Sequence, residues 1–319
     1  MSATEGVAED GTSERAEFLR DALAGLSGNP KTLPGKYLWD ETGSDLFDRI
    51  CAHPDYYPTK REMALLPQVA AEVAALVGPG VSVVEFGSGA SRKIRTLLDA
   101  LKAPAAFLGL DISGAYLEAA IRRLASDYPS VAMMPVVADY SKPVRLPPGA
   151  AAPPILGFFP GTSIGNFTPE QAGGFLARAR ETLGPSHFLV GADPTRDPIR
   201  LRRAYGEAGG LMAALHLNLI DRLNRELGSD FDRSAFRHEA RLAEDPFRVE
   251  AHLVALRAGT YQLGGQTIRF EAGESIRTDT SHKYPPEVFR ALATAQGWEP
   301  VRLWIDDDSG FSLHLFQAR

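Results

Sequence analysis

Between Val81 and Asp193 the apolar residues fall in short runs separated by amphipathic segments with helical spacing. The runs predict strands, the first of them buried, and they read VSVVEF, AFLGLD, VAMMPVVAD, PPILGFFPG and HFLVGAD. The segments between them predict helices, most clearly SRKIRTLLDAL, GAYLEAAIRRLASDY and PEQAGGFLARARETL. Strands and helices that alternate with short connections predict a doubly wound α/β sheet, mostly parallel.

The pattern differs on both sides of this region. Before it we predict a loose tail over 1–12, helices over 14–26 and 62–76, and an irregular HPDYYPT segment because of its two prolines. After it, residues 197–228 are mostly helical in pattern and residues 246–272 alternate like antiparallel strands. A helix over 285–296 and two strands within 301–319, joined by a polar turn, complete the chain.

Composition narrows the class of protein. The 319 residues carry a net charge of −6 without a long Lys/Arg run, which argues against nucleic-acid and membrane partners. The single cysteine, Cys51, excludes an internal disulfide and a cysteine-based zinc cluster, and no metal site is predicted. The polar N-terminus lacks the apolar core of a signal peptide, and no apolar run approaches the roughly 20 residues of a membrane span. We therefore expect a cytoplasmic protein.

The stretch VVEFGSGASRK has the form of a ligand-binding turn. A strand that ends in Gly87-Ser88-Gly89 and leads into a helix presents backbone N–H groups where open α/β sheets bind ligands. A dinucleotide fingerprint needs a third glycine where this chain has Arg92, which disfavours an NAD-dependent oxidoreductase. The acid Glu85 before the glycines instead resembles the E/D-x-G-x-G signature of S-adenosylmethionine-dependent methyltransferases.

Two further acids end the next two strands. Asp111 ends AFLGLD, where a carboxylate can accept hydrogen bonds from both hydroxyls of a ribose. Asp139 ends the following strand, where it can meet an adenine amino group. Either acid alone is as well explained by a solvated loop or a helix cap. Three acids ending three successive strands around one glycine turn favour S-adenosylmethionine as the cofactor.

Candidate substrate residues lie in three other segments. FFPGTSIGNF places Asn166 after the fourth strand, where its side-chain oxygen could hold an amine. HPDYYPT supplies two tyrosines. TDTSHKY supplies Asp279 and Ser281, two positions apart and so on one face of an extended segment. An asparagine in a turn, packed aromatic rings and a simple loop are the non-functional alternatives for these segments.

From about Leu33 to Arg319 the chain resembles the L-histidine Nα-methyltransferases of ergothioneine biosynthesis. The resemblance is carried by LPGKYLWDETGSDLFDRI, HPDYYPTKRE, VVEFGSGASRK, GTSIGNFTP, LNRELGSDFD and TDTSHKY. It implies a class I methyltransferase sheet with a C-terminal antiparallel hairpin, plus a second α+β lobe that binds substrate. We expect residues 1–60 to join that lobe, 61–195 to form the methyltransferase domain, 196–282 to be the inserted lobe and 283–319 to complete the methyltransferase domain.

The resemblance also implies residue roles. Tyr56 and Asn166 would be catalytic. The cofactor would contact Glu85, Gly87, Ser88, Gly89, Lys93, Asp111, Asp139 and Tyr140. The amino-acid substrate would contact Trp39, Tyr56, Gly161, Asn166, Tyr205, Ala251, Asp279 and Ser281, the last two facing the imidazole. Asp279 stands where histidine-using relatives usually carry Glu, Trp39 where Tyr is frequent, and Ala251 where Met can line the pocket.

The expected activity is transfer of three methyl groups to the α-amino nitrogen of L-histidine, giving hercynine, by a monomeric enzyme. Methyl transfer from a sulfonium needs a neutral, aligned amine and no metal. The same chemistry on another amino acid, such as tryptophan or tyrosine, is the nearest alternative. A cofactor-binding protein without catalysis is a remote one, because Tyr56, Gly87, Asp111 and Asn166 are all present.

Overall fold

The computed structural model describes residues 5–89, 92–308 and 310–318, with side chains from residue 14 onward. Its helices are α1 (Glu5–Leu26), α2 (Glu41–Ala52), α3 (Tyr57–Val77), α4 (Arg92–Ala100), α5 (Gly114–Asp127), α6 (Pro169–Leu183), α7 (Pro198–Arg202), α8 (Leu211–Leu227) and α9 (Pro286–Thr294). Its strands are β1 (Lys31–Thr32), β2 (Ser82–Phe86), β3 (Ala106–Asp111), β4 (Ala132–Val137), β5 (Ile155–Phe159), β6 (His187–Ala192), β7 (Phe236–Glu244), β8 (Phe247–Ala255), β9 (Gly259–Leu263), β10 (Gln266–Phe270), β11 (Ser275–His282), β12 (Trp298–Ile305) and β13 (Ser312–Ala318).

The described residues divide into two compact units. The first contains the described parts of Met1–Asp55, Pro198–Asp245 and Val249–Thr280. The second contains the described parts of Tyr56–Asp197, Pro246–Arg248 and Ser281–Arg319. Each unit has its own sheet, so each is described separately.

The second unit is built on a seven-stranded sheet in the order β12-β13-β6-β5-β2-β3-β4. Strands β6, β5, β2, β3 and β4 run parallel, while β13 is antiparallel to both β6 and β12. One apolar cluster packs α3, α4 and α5 against one face, and another packs α6 and α9 against the other. The predicted doubly wound sheet with a terminal antiparallel hairpin is confirmed.

The first unit contains a four-stranded sheet in the order β1-β11-β8-β7 and an antiparallel β9–β10 hairpin. Helix α8 packs beside β7, with Leu215, Leu219 and Leu223 buried along its length. A second α+β lobe was predicted, and this sheet with its helices confirms it.

Three local predictions need correction. Helix α1 begins at Glu5, so the prediction of a loose tail is wrong for residues 5–12, where no proline interrupts the helix. Residues 1–4 lie outside the described residues. HPDYYPT is irregular only up to Tyr56, because Pro58 sits in the first turn of α3, where its missing N–H has no helical partner to lose. Strand β7 was not predicted, since its Arg, His and Glu residues hide the alternation.

Candidate active site

The glycine turn between β2 and α4 lies at the carboxyl end of the parallel strands. Gly87 has a φ of +74°, which favours glycine, and the N–H groups of Gly87 and Ser88 donate to the carbonyl of Leu110 at 2.8 and 2.9 Å. No described atom lies within 4 Å of the position that a Cβ would take on Gly89. The turn is thus fixed to β3 on one side and opens onto space beside Gly89; Ala90 and Ser91 lie outside the described residues.

Glu85 supports this turn from inside. Its side chain is buried, and its Oε2 accepts a hydrogen bond from the Ser88 hydroxyl at 2.6 Å. Burial raises the pKa of Glu85 to about 8, against the opposing effects of Ser88 and Lys93. A Cβ on Gly109 would lie 2.7 Å from the Ser88 hydroxyl oxygen, so the glycine of β3 makes room for this contact. Glu85 holds the shape of the turn.

Asp111 and Asp139 follow on the next two strands. Asp111 ends β3, accepts the N–H of Ser113 at 2.9 Å, and has a pKa raised by burial. Asp139, just after β4, accepts the N–H of Ser141 at 2.9 Å and its hydroxyl at 2.5 Å. These local bonds orient both carboxylates at the same edge of the sheet.

Tyr140 joins the turn to the two acids. A Cβ on Gly87 would lie 3.4 Å from the Tyr140 hydroxyl oxygen. Burial, with nearby Asp111 and Asp139, raises the pKa of Tyr140, so its phenol stays protonated. Its ring packs edge-on against Phe86 and Phe159. An aromatic ring therefore lies among the residues predicted to hold an adenosine.

Lys93 lies on the first turn of α4 beside the loop after β5. Its ammonium is 2.6 Å from Oε2 of Glu62 on α3, and a Cβ on Gly161 would come within 3.1 Å of it. Oε1 of Glu62 accepts the backbone N–H of Gly161 at 2.8 Å. Lys93 and Gly161 were both predicted site residues, and they lie together.

This edge of the sheet fits S-adenosylmethionine. Among the described residues it offers space beside a glycine turn, two carboxylates on neighbouring strands, an aromatic ring and a cation. Asp111 and Asp139 are acceptors of the kind that ribose hydroxyls and an adenine amino group require. Gly87, Ser88, Gly89 and Lys93 would then meet the remainder of the molecule.

The turn that carries Asn166 packs against the segment that carries Ser281. Asn166 is exposed at the end of a 3-10 turn, Ser163–Asn166, which follows β5. A Cβ on Gly165 would lie 3.5 Å from the Ser281 hydroxyl oxygen, and the Gly165 carbonyl is 3.0 Å from Nδ1 of His282. Tyr56, 5% exposed, stands immediately before α3 in the same unit.

The other predicted substrate residues belong to the first unit. Trp39 packs edge-on against Phe47, with ring centroids 5.2 Å apart. Tyr205 lies in a π-helical turn, Arg203–Glu207, a distortion that recurs at functional sites. The Ala251 carbonyl accepts from the Thr278 hydroxyl at 3.2 Å. A Cβ on Gly35 would lie 2.9 Å from Oδ1 of Asp279, so glycine there gives the carboxylate room.

Sequence reasoning missed several polar residues of the second unit. Glu62 is completely buried, and it lies on the same stripe of α3 as Leu66, Val69 and Val73. That stripe has helical spacing, so an acid within it was a detectable signal. Asp193 and Lys283, both buried, form an ion pair that spans 90 positions and left no local signal.

Neither a metal-binding cluster nor a membrane-spanning helix is found within the described ranges. No group of three or more His, Cys, Asp or Glu there could hold a metal ion. No helix there is long and apolar enough to cross a bilayer.

Comparison with known proteins identifies the family. The family described as "Histidine-specific methyltransferase, SAM-dependent" matches residues 18–318. The histidine N-alpha-methyltransferase of Mycolicibacterium smegmatis is 35% identical, covering 99% of this chain and 98% of the relative. That of Mycobacterium tuberculosis is 36% identical over 93% of each. A solved putative methyltransferase from Thermobifida fusca shares the fold, with a TM-score of 0.50 at 14% identity, over 95% of this chain and 94% of that one. The chain belongs to the histidine-specific, S-adenosylmethionine-dependent methyltransferases.

Proposed function

We propose that the enzyme methylates the α-amino nitrogen of L-histidine three times, forming the betaine hercynine in ergothioneine biosynthesis. The observation that carries the proposal is the glycine turn after β2, with Asp111 and Asp139 on the two following strands. Membership of the histidine-specific family supports histidine as the substrate of the proposed reaction.

Bound S-adenosylmethionine supplies an electrophilic methyl group on a sulfonium. The chain's own residues hold and align the molecules on either side of that group. In the proposal Asp111 accepts from the ribose, Asp139 meets the adenine amino group, and Tyr140 lies beside the adenine. Gly87, Ser88, Gly89 and Lys93 bind the rest, on a turn that Glu85 supports.

Asn166 and Tyr56 are proposed to act on the substrate amine. The amine must be neutral and aligned at near-attack distance, and a misplacement of ~1 Å can cost roughly 100-fold in rate. Asn166 would accept from the amine through its side-chain oxygen. Tyr56 would orient the amine and would accept the proton of the amine through a water molecule. No strong base is required, since the amine can release its proton to a polar neighbour.

The backbone and side chain of the amino-acid substrate would contact the remaining residues that the resemblance implies. Tyr205 and Gly161 would hold the backbone of the substrate. Asp279 and Ser281 would face the imidazole, with Trp39 and Ala251 lining the side-chain space. The proposal includes a monomeric enzyme in the cytoplasm, with an amino acid as its only partner besides the cofactor.

The test is an assay of the purified protein with S-adenosylmethionine and each proteinogenic amino acid. We expect L-histidine to give the highest kcat/KM, with mono-, di- and trimethylated products resolved by mass spectrometry. Nα-acetylhistidine is the matched control, because it keeps the imidazole and blocks the amine. Preferred turnover of tryptophan or tyrosine would replace histidine as the substrate. Cofactor binding without any methylated amino acid would support the non-catalytic alternative.

A further inference from the structure

Glu62 is an acid within the apolar stripe of α3. Its side chain is completely buried, among neighbours such as Leu66 and Val69. Burying a carboxylate is costly unless it is paired and hydrogen-bonded. Glu62 has both kinds of partner, the Gly161 N–H at 2.8 Å on one oxygen and the Lys93 ammonium at 2.6 Å on the other. One carboxylate thus ties together α3, α4 and the loop after β5.

The ligand-facing member of this group is Lys93. The Lys93 side chain is 20% exposed, whereas the Glu62 side chain is 0% exposed. A bound anion can therefore reach the ammonium but not the carboxylate behind it. Gly161, with a φ of +73°, keeps its Cα beside the ammonium, where a Cβ would lie 3.1 Å away.

The order of the strands fixes which end of the cofactor comes here. Along the carboxyl edge the strands run β4, β3, β2, β5, and their ends carry Asp139, Asp111, the glycine turn and the loop containing Gly161. Neighbouring strands lie about 4.8 Å apart. With adenine at Asp139 and ribose at Asp111, the amino-acid end of S-adenosylmethionine extends toward β2 and β5, where Lys93 and Gly161 lie.

We propose that Glu62 is a positioning residue for the amino-acid end of the cofactor. It fixes the Lys93 ammonium, together with the Gly161 backbone beside it, so that the ammonium receives the α-carboxylate group of the cofactor. The inference rests on the proposed cofactor site and extends it to a residue that does not touch the ligand.

The charge of Glu62 cannot by itself account for the expected loss of affinity. The amino-acid end is a zwitterion, and removing the negative charge beside Lys93 favours its carboxylate, which is the group that Lys93 receives. Without the Glu62 carboxylate, the Lys93 side chain loses the ion pair that fixes its rotamer, and the Gly161 N–H has a weaker acceptor. The effect is therefore confined to ligands that carry the amino-acid end.

The experiment compares two thioether ligands that differ in that end. S-adenosylhomocysteine carries the amino acid, and 5′-methylthioadenosine lacks it. By calorimetric titration we expect Glu62→Gln to raise the Kd of S-adenosylhomocysteine at least ~10-fold, because charge-assisted contacts lose their geometry. The Kd of 5′-methylthioadenosine should stay within about twofold. Glu181→Gln, the same substitution at an exposed position on α6, is the control and should leave both within about twofold.

A double-mutant cycle separates positioning from a general structural role. If Glu62 acts mainly through Lys93, Glu62→Gln should weaken S-adenosylhomocysteine binding much less in a Lys93→Met background. Equal weakening of both ligands, equal effects in both backgrounds, or no effect on S-adenosylhomocysteine would overturn the proposal. Should Glu62→Gln fail to fold, Glu62→Asp, which keeps the charge and shortens the reach, takes its place. Failure of the unmutated protein to bind either ligand would instead overturn the cofactor site itself.

Discussion

The ammonium of Lys283 lies 2.6 Å from Oδ2 of Asp193, and neither side chain has any exposed surface. The same carboxylate accepts from the Tyr57 hydroxyl and, through Oδ1, from the Thr195 N–H at 2.8 Å. Lys283 also donates to the hydroxyl of Ser281 at 2.9 Å. Ser281, a proposed substrate residue, is thereby anchored to a buried charge pair at the end of β6.

Removing one member of this pair should be strongly destabilising. We expect Lys283→Met to lower the free energy of unfolding by ~3–5 kcal/mol, because the Asp193 carboxylate loses its cationic partner inside the protein. Urea denaturation monitored by circular dichroism measures the change. Lys102→Met, at an exposed position, is the control, with an expected effect within ~0.5 kcal/mol. A loss below ~1 kcal/mol for Lys283→Met would show that the pair is not needed in the core.

Asp111→Ala should weaken cofactor binding. A carboxylate that accepts from ribose makes charge-assisted bonds worth about 1.5–3 kcal/mol each. Calorimetric titration of S-adenosylhomocysteine should show a loss in that range, with the far-UV spectrum unchanged. Asp127→Ala, an exposed position paired with Arg95, serves as the matched control. A loss under ~1 kcal/mol with an intact fold would contradict the ribose role.

Asn166→Ala should stop turnover without releasing the cofactor. The side chain is exposed at the end of the turn after β5, so its removal leaves the core unchanged. We expect kcat with L-histidine to fall at least ~100-fold, the cost of a misplaced amine. The Kd of S-adenosylhomocysteine, measured on the same sample, is the internal control. Turnover within ~10-fold of the unmutated enzyme would remove Asn166 from the reaction.

Asp279 should govern binding of the substrate side chain. A ring N–H can donate to this carboxylate, and one methylene of reach is worth ~1–3 kcal/mol. We expect Asp279→Ala to lower kcat/KM for L-histidine at least ~10-fold and Asp279→Glu to raise it. Steady-state kinetics at saturating cofactor make the measurement. Unchanged histidine turnover in both variants would exclude an imidazole-binding role.

Glu85 should make the free protein less stable at high pH. Burial raises the pKa of Glu85 in the folded protein to about 8, whereas its pKa in the unfolded chain is about 4.3. Between these values the folded state holds more protons, so the free energy of unfolding falls as pH rises through this window. Glu85→Gln, which can still accept from Ser88, should reduce the fall between about pH 5.5 and about pH 8.5 by a few kcal/mol. Urea denaturation at both pH values is the measurement, with exposed Glu118→Gln as control. Parallel pH profiles for Glu85→Gln and the unmutated protein would contradict the raised pKa.

The sequence allowed prediction of those features that repeat locally. Alternating apolar runs located β2, β3, β5 and β6, and acids at strand ends indicated the cofactor edge, because parallel strands end on one side. The start of α3 was misjudged because a proline disrupts a helix interior but suits its first turn. The Asp193–Lys283 pair was not predictable, because its members meet only when β6 and the segment after β11 are folded together. The roles of individual site residues remain predictions.

Strand β13 lies between β6 and β12, inside the seven-stranded sheet, although it is formed by residues 312–318. A ribosome that has synthesised everything up to β12 has therefore produced a sheet with β6 still unpaired on one edge. Such an edge can pair with another chain. The sheet of the nascent domain thus closes only after Ser312–Ala318 have been synthesised, and a premature stop codon before Ser312 would leave an aggregation-prone product.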